Sequence, residues 1–207
     1  MELLRRALLL TGLSALAVVL SGLFFRLLQR AFVSLLSWII GPRAAAAVIN
    51  ALTFPGTVHH ELSHALAGVL TGARVTAIRL LPSGNELGSV SMIPPRGVLA
   101  GSLSRTFSAL SPVYLGCLSL SILYSRVLPL CTTVFPLILF WYLFVSILLH
   151  MDLSGADIRA AAKGAPVCLA LLFVLFLVLL YFFPDLPGTL SDSLLSVLRA
   201  HRPVQEF

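Results

Sequence analysis

Charge is scarce in this chain. Of its 207 residues, 11% are charged and 58% are apolar, whereas a soluble domain carries about 25% charged residues. The mean hydropathy is +1.01. No long polar segment is present from which a separate soluble domain could be built. These shortages exclude an ordinary globular domain and predict a polytopic membrane protein, with room for roughly five or six spans of ~20 residues. Basic clusters are missing as well. The net charge is +6, yet no cationic run exceeds the pair Arg5-Arg6. The excess therefore reads as basic loop ends, and a nucleic-acid partner is not expected. Cys117, Cys131 and Cys168 show no C-x-x-C spacing and read as small apolar packing residues. After Arg5-Arg6 comes an apolar run from Ala7 to Phe25, but no A-x-A cleavage site follows it. That pattern predicts a retained first span or signal anchor instead of a removable signal peptide. No internal repeat is evident.

The expected fold is an all-α polytopic membrane protein with a short β-hairpin, a single integral membrane domain over 1–207. The first span is predicted over 7–28. The apolar stretch 31–40 stops at Gly41-Pro42-Arg43 and is too short to cross alone, which suggests a half-span or an interfacial helix. A helix over 44–72 contains Pro55-Gly56, so it either starts near Pro55 or kinks there. Residues 73–103 are the most polar internal stretch. Val75 to Leu81 and Leu87 to Ile93 read as strands around a Pro82-Ser83-Gly84-Asn85 turn, a β-hairpin pattern. Further spans are expected over 106–124, 128–150 and 165–183. Leu190, Leu194, Val197 and Leu198 at helical spacing predict an amphipathic tail helix over 189–200 on the membrane surface.

One motif carries chemistry. His60-Glu61-Leu62-Ser63-His64 is an H-E-x-x-H sequence. Residues four apart share one face of a helix, so both imidazoles can reach one metal ion. Glu61 is then placed to take a proton from water, the arrangement of zinc proteases. Chance occurrences of so short a motif are common in soluble helices. Within an apolar membrane segment, two imidazoles and a carboxylate are costly unless they are paired or functional.

Catalytic zinc sites use three protein ligands and keep one position open. The chain has eight acids. Glu2 and Glu206 are terminal, Glu86 lies in the hairpin turn, and Asp185 and Asp192 follow the last span. Asp152 and Asp157 remain, in Leu149-His150-Met151-Asp152-Leu153-Ser154-Gly155-Ala156-Asp157. Asp157 is the better candidate; Asp152, His150 and His59 stay open as alternatives. An acid in a first helical turn after a capping Ser154 also has a bland explanation, the helix dipole. His150 has one too, as a polar tip at the membrane interface. His59 points about 100° away from His60 on the helix and reads as a supporting or packing residue.

The run Phe54-Pro55-Gly56-Thr57-Val58-His59-His60-Glu61-Leu62-Ser63-His64-Ala65-Leu66 resembles the metal helix of the site-2-protease-like (M50 class) intramembrane metallopeptidases. Ser154-Gly155-Ala156-Asp157-Ile158 is similar to the aspartate segment of some smaller, divergent members. The resemblance covers about 54–72 and 146–165. The Leu-Asp-Gly and Asn-Pro-Asp-Gly signatures and a PDZ domain are absent. The resemblance implies zinc held by His60, His64 and Asp157, with Glu61 as general base. It also implies a membrane protein or peptide as substrate, within the lipid bilayer of a prokaryotic plasma membrane. An extended substrate strand is expected to add to the edge of the 75–93 hairpin; an ordinary structural loop is the competing reading. Two other classes compete: a non-proteolytic scaffold or metal-handling protein that keeps the site, and a transporter using these groups as an ion path.

Overall fold

The computed structural model describes residues 1–81 and 88–185. Its element order is α1 (Glu2–Ile40), α2 (Pro42–Leu52), α3 (Phe54–Leu70), β1 (Arg74–Arg79), β2 (Ser89–Ile93), α4 (Val98–Ile122), α5 (Val134–Leu149) and α6 (Gly155–Phe182). A π turn (Leu123–Val127) and a 3-10 turn (Leu128–Leu130) prolong α4. The protein is thus mostly helical, with one small antiparallel hairpin. Among the described residues, three helices are long and apolar enough to cross a membrane: Glu2–Ile40, Val98–Leu130 and Gly155–Phe182. Helix α5 is apolar but shorter.

The chain forms two compact units, Ala17–Cys168 and Met1–Leu16 with Leu169–Phe207. In the smaller, Ala7, Thr11 and Leu180 are buried, and the Thr11 hydroxyl donates to the Ala7 carbonyl at 2.8 Å. The larger unit holds every residue of the candidate site.

The separate element expected over 31–40 is a continuation of α1, which runs unbroken to Ile40. Arg26, Gln29 and Arg30 lower the hydropathy there, but they are good helix formers. The helix stops only where Gly41 takes a left-handed φ of 83° and Pro42 opens α2, as glycine and proline do at such junctions. Over 44–72 there are two helices. The break falls at Thr53, and Pro55 sits in the first turn of α3, where its missing N–H costs nothing. Ser146 of α5 pins this start. Its hydroxyl donates to the Thr53 carbonyl at 3.0 Å and accepts the Gly56 N–H at 2.8 Å. Gly56 is required for the contact, because a Cβ there would collide with the Ser146 carbonyl oxygen.

The hairpin pairs Arg74 with Ile93 and Arg79 with Ser89, with an irregularity between Val75 and Ala77. Both strands are shorter than the expected 75–81 and 87–93; the connecting residues 82–87 and the tail helix predicted over 189–200 lie outside the described residues. Helices α4 and α6 begin earlier than the apolar runs at 106 and 165 suggested, because hydropathy misses their small-residue and polar first turns. On α4, Ser104, Ser108, Pro112 and Gly116 are all buried. They recur every fourth residue, and a stripe of small residues lets helices approach closely.

Candidate metal centre

Helix α3 carries the H-E-x-x-H sequence and packs between α4 and α5. Its inward face is polar: Thr57, Glu61, Ser63 and His64 are buried together with glycines and alanines. The ring nitrogens Nε2 of His60 and His64 lie 3.0 Å apart. The Asp157 carboxylate reaches them from the first turn of α6, with Oδ1 3.3 Å from His64 Nε2 and Oδ2 3.9 Å from His60 Nε2. Ligand atoms of His60, His64 and Asp157 all fall within 4.8 Å of one another, a group that can hold a metal ion.

Each imidazole is oriented through its other nitrogen. His60 Nδ1–H donates to the backbone carbonyl of His150 at 2.7 Å, and His64 Nδ1–H donates to that of Ser108 at 2.7 Å. Both carbonyls are ones that helices leave spare. His150 caps the C-terminus of α5, where the last carbonyls have no intrahelical donor. Ser108 lies four residues before Pro112 inside α4, and proline has no N–H to give the carbonyl four positions back. Pro112 thus frees the oxygen that orients His64; the Ser111 hydroxyl adds a bond to it at 2.6 Å.

These hydrogen bonds fix the electron-pair geometry. With both Nδ1 hydrogens committed to carbonyls, each neutral ring presents a lone pair at Nε2. Two such lone pairs and a carboxylate then converge at 3.0, 3.3 and 3.9 Å. A shared proton joins two of these three groups at most, whereas a metal ion joins all of them. Ligand atoms at the corners of a tetrahedral zinc shell lie about 3.3 Å apart, given bonds of about 2.0–2.1 Å. The residues present fit such an ion.

Asp157 serves two structural ends at once. Ser154 Oγ accepts the Asp157 N–H at 3.1 Å, and the Asp157 carboxylate accepts the Ser154 N–H at 2.9 Å. This reciprocal cap starts α6 and holds the carboxylate toward the histidines. The capping explanation and the ligand explanation are therefore compatible. Asp152, in the turn between α5 and α6, lines the same cavity. Burial, joined by the Asp157 charge, pushes its carboxyl up to about 6, and it is not in the group of converging ligand atoms. The His150 side chain is directed elsewhere, its Nδ1 donating to the Ser146 carbonyl at 3.0 Å. His59 faces α4, with Nε2 2.9 Å from the Ser119 hydroxyl.

Glu61 is 8% exposed and lines a cavity of about 800 Å³ together with His60, His64 and Asp157. It packs against Gly88 at the turn end of the hairpin, where a Cβ would fall 2.7 Å from Glu61 Cγ and 3.0 Å from Oε1. Ser89, Val90 and Met92 of β2 also line the cavity. Sequence reasoning missed Gly88, Pro112, Ser108 and Ser146. Of these only Pro112 left a local signal, a proline inside an apolar helix.

Fold and site together define a mostly helical chain with membrane-length helices and a His-His-Asp group suited to a metal. No family model, curated protein or solved structure matches the chain.

Proposed function

We propose that this chain is a multi-pass membrane zinc metallopeptidase of the site-2-protease-like class, hydrolysing peptide bonds of membrane protein substrates. In this reading α3 and α5 join the three longer helices as membrane-embedded elements, and the host membrane is the plasma membrane of a prokaryote. The observation that carries it is the convergence of the two Nε2 lone pairs and the Asp157 carboxylate in a cavity that also holds Glu61. His60, His64 and Asp157 would hold the ion. Zinc bound there supplies Lewis acidity, lowering the pKa of water to about 7 and polarising a carbonyl. Glu61 accepts the proton of the attacking water and delivers it to the nitrogen of the leaving amine. The Ser108 and His150 carbonyls keep both imidazoles in the tautomer that leaves Nε2 free. Peptide bonds of a helix are shielded, so the substrate must enter extended. The exposed hairpin beside the cavity offers an edge for such a strand.

A metal-handling or scaffold protein is the second reading. It has no use for a carboxylate beside the cluster, and the burial of Glu61 in the same cavity favours the peptidase. The test is hydrolysis of a membrane-helix substrate by purified, zinc-loaded protein. Glu61→Gln is expected to keep zinc and lose turnover by about 10²–10⁴-fold, the usual worth of a general base. Equal turnover by both proteins would remove Glu61 from this role; zinc bound with no cleavage of any substrate would favour the scaffold.

A further inference from the structure

The cavity that contains the histidine cluster has a second chemical feature, which the proposed hydrolysis does not use. Arg105 of α4 and Arg159 and Lys163 of α6 line it as well. Lys163 is the chain's single lysine. None of the three cations has an ion pair or a side-chain hydrogen bond among the described residues. Their placement is fixed by a tight helix crossing. Gly164 meets the Ser102 carbonyl and the Thr106 hydroxyl where a Cβ would clash, and the Thr106 hydroxyl donates to the Ala161 carbonyl at 3.2 Å. Residues 102 and 106 of α4 thus face 164 and 161 of α6, an antiparallel arrangement that puts Arg105 and Lys163 at the same level. Arg159 lies one turn nearer Asp157.

Basic residues near the ends of membrane helices ordinarily anchor to lipid headgroups. Arg105, Arg159 and Lys163 are exposed, but they gather from two helices at the rim of one cavity, which Glu61, Asp152 and Asp157 also line. Three cations without an ion-pair partner at one rim favour an anion there. Asp157 and Lys163 are six residues apart on α6, about 9 Å along a helix axis. An extended peptide covers that distance in about three residues.

We infer that Arg105, Arg159 and Lys163 form an anion-binding wall that selects peptide substrates carrying an Asp or Glu within about three residues of the scissile bond. The inference rests on the peptidase reading for its substrate class and is tested by binding, so the two can fail separately. The full-length Glu61→Gln protein, in nanodiscs of phosphatidylcholine, is titrated with two fluorescein-labelled apolar peptides. They are identical except that one carries a Glu pair where the other carries a Gln pair. The Glu peptide should bind about tenfold more tightly at low salt, and the gap should close as salt rises. Replacing the wall (Arg105→Gln, Arg159→Gln, Lys163→Gln) should erase the preference while zinc content stays unchanged, which shows that the fold survives. Arg105→Lys with Arg159→Lys should preserve it. Equal binding of the two peptides, binding of neither, or a preference that persists without the cations would overturn the wall. So would a variant whose only loss is affinity for discs containing phosphatidylglycerol, because the cations would then be headgroup anchors. A retained Glu preference with no cleavage by the zinc-loaded wild type would instead defeat the peptidase reading and leave the wall in place.

Discussion

Helices α1 and α3 both leave large apolar side chains outside, but only α3 buries a polar face. Helix α1 has 39 residues, of which Ala7 and Thr11 are buried, while Leu8, Leu13, Val19 and Phe24 are exposed. Helix α3 has 17 residues, and the buried ones include Thr57, Glu61, Ser63 and His64, while Leu62, Leu66, Val69 and Leu70 are exposed. In water the α3 pattern would be unstable. Against lipid it is the expected one, because hydrocarbon gives apolar side chains no reason to hide and penalises unpaired polar groups. The contrast teaches that polar and small residues, not apolar ones, mark the interior of this protein. Polar groups on this helix are tied down: His60 and His64 donate to backbone carbonyls, and the Ser63 hydroxyl donates to His59 O at 2.7 Å.

The contrast breaks most visibly at the cluster itself. Asp157→Ala is expected to weaken zinc binding by more than about 100-fold, since even the hydrogen-bond partners of ligands are worth about 10–100-fold. Asp152→Ala should change it little. Metal analysis after dialysis against a graded chelator reads both, and the reverse ranking would move the third ligand to Asp152.

Next comes the proline. Pro112→Ala restores an N–H four residues beyond Ser108, so the freed carbonyl gains a helical donor that competes with His64 Nδ1–H. Zinc affinity should fall about tenfold with the fold intact by circular dichroism. No change in affinity would show that His64 keeps its orientation without the spare carbonyl.

The smallest effects separate the two helices directly. In α1, an added Cβ at Gly12 meets nothing within 4 Å, so Gly12→Ala should stabilise by up to about 1 kcal/mol through backbone entropy. In α3, Gly56→Ala drives a methyl into the Ser146 carbonyl and should destabilise by about 1–3 kcal/mol. Thermal unfolding in detergent measures both. Equal effects would mean that α3 and α5 are not in close contact at Gly56.

How much of this was legible depended on range. The i, i+4 spacing of His60 and His64 is local, and it placed both rings on one face. Asp157 stood out because so few acids compete with it, and Ser154 three residues earlier marked the helix start. The hairpin was readable from its turn residues. What escaped was set by contacts between distant residues. Ser146 and Gly56 are ninety positions apart, and nothing around either announces the other. Gly88 looks like an ordinary turn glycine until Glu61 is seen against it. The unbroken α1 is not visible in hydropathy, because Arg26, Gln29 and Arg30 lower it without breaking a helix.

The central claim is that His60, His64 and Asp157 hold one metal ion. X-ray absorption at the zinc edge on the purified full-length protein tests it most directly. The account predicts one zinc per chain with two imidazole nitrogens and a carboxylate oxygen at about 2.0–2.2 Å, and loss of that shell in Asp157→Ala. Protein that retains no zinc, or a shell unchanged by Asp157→Ala, would contradict it.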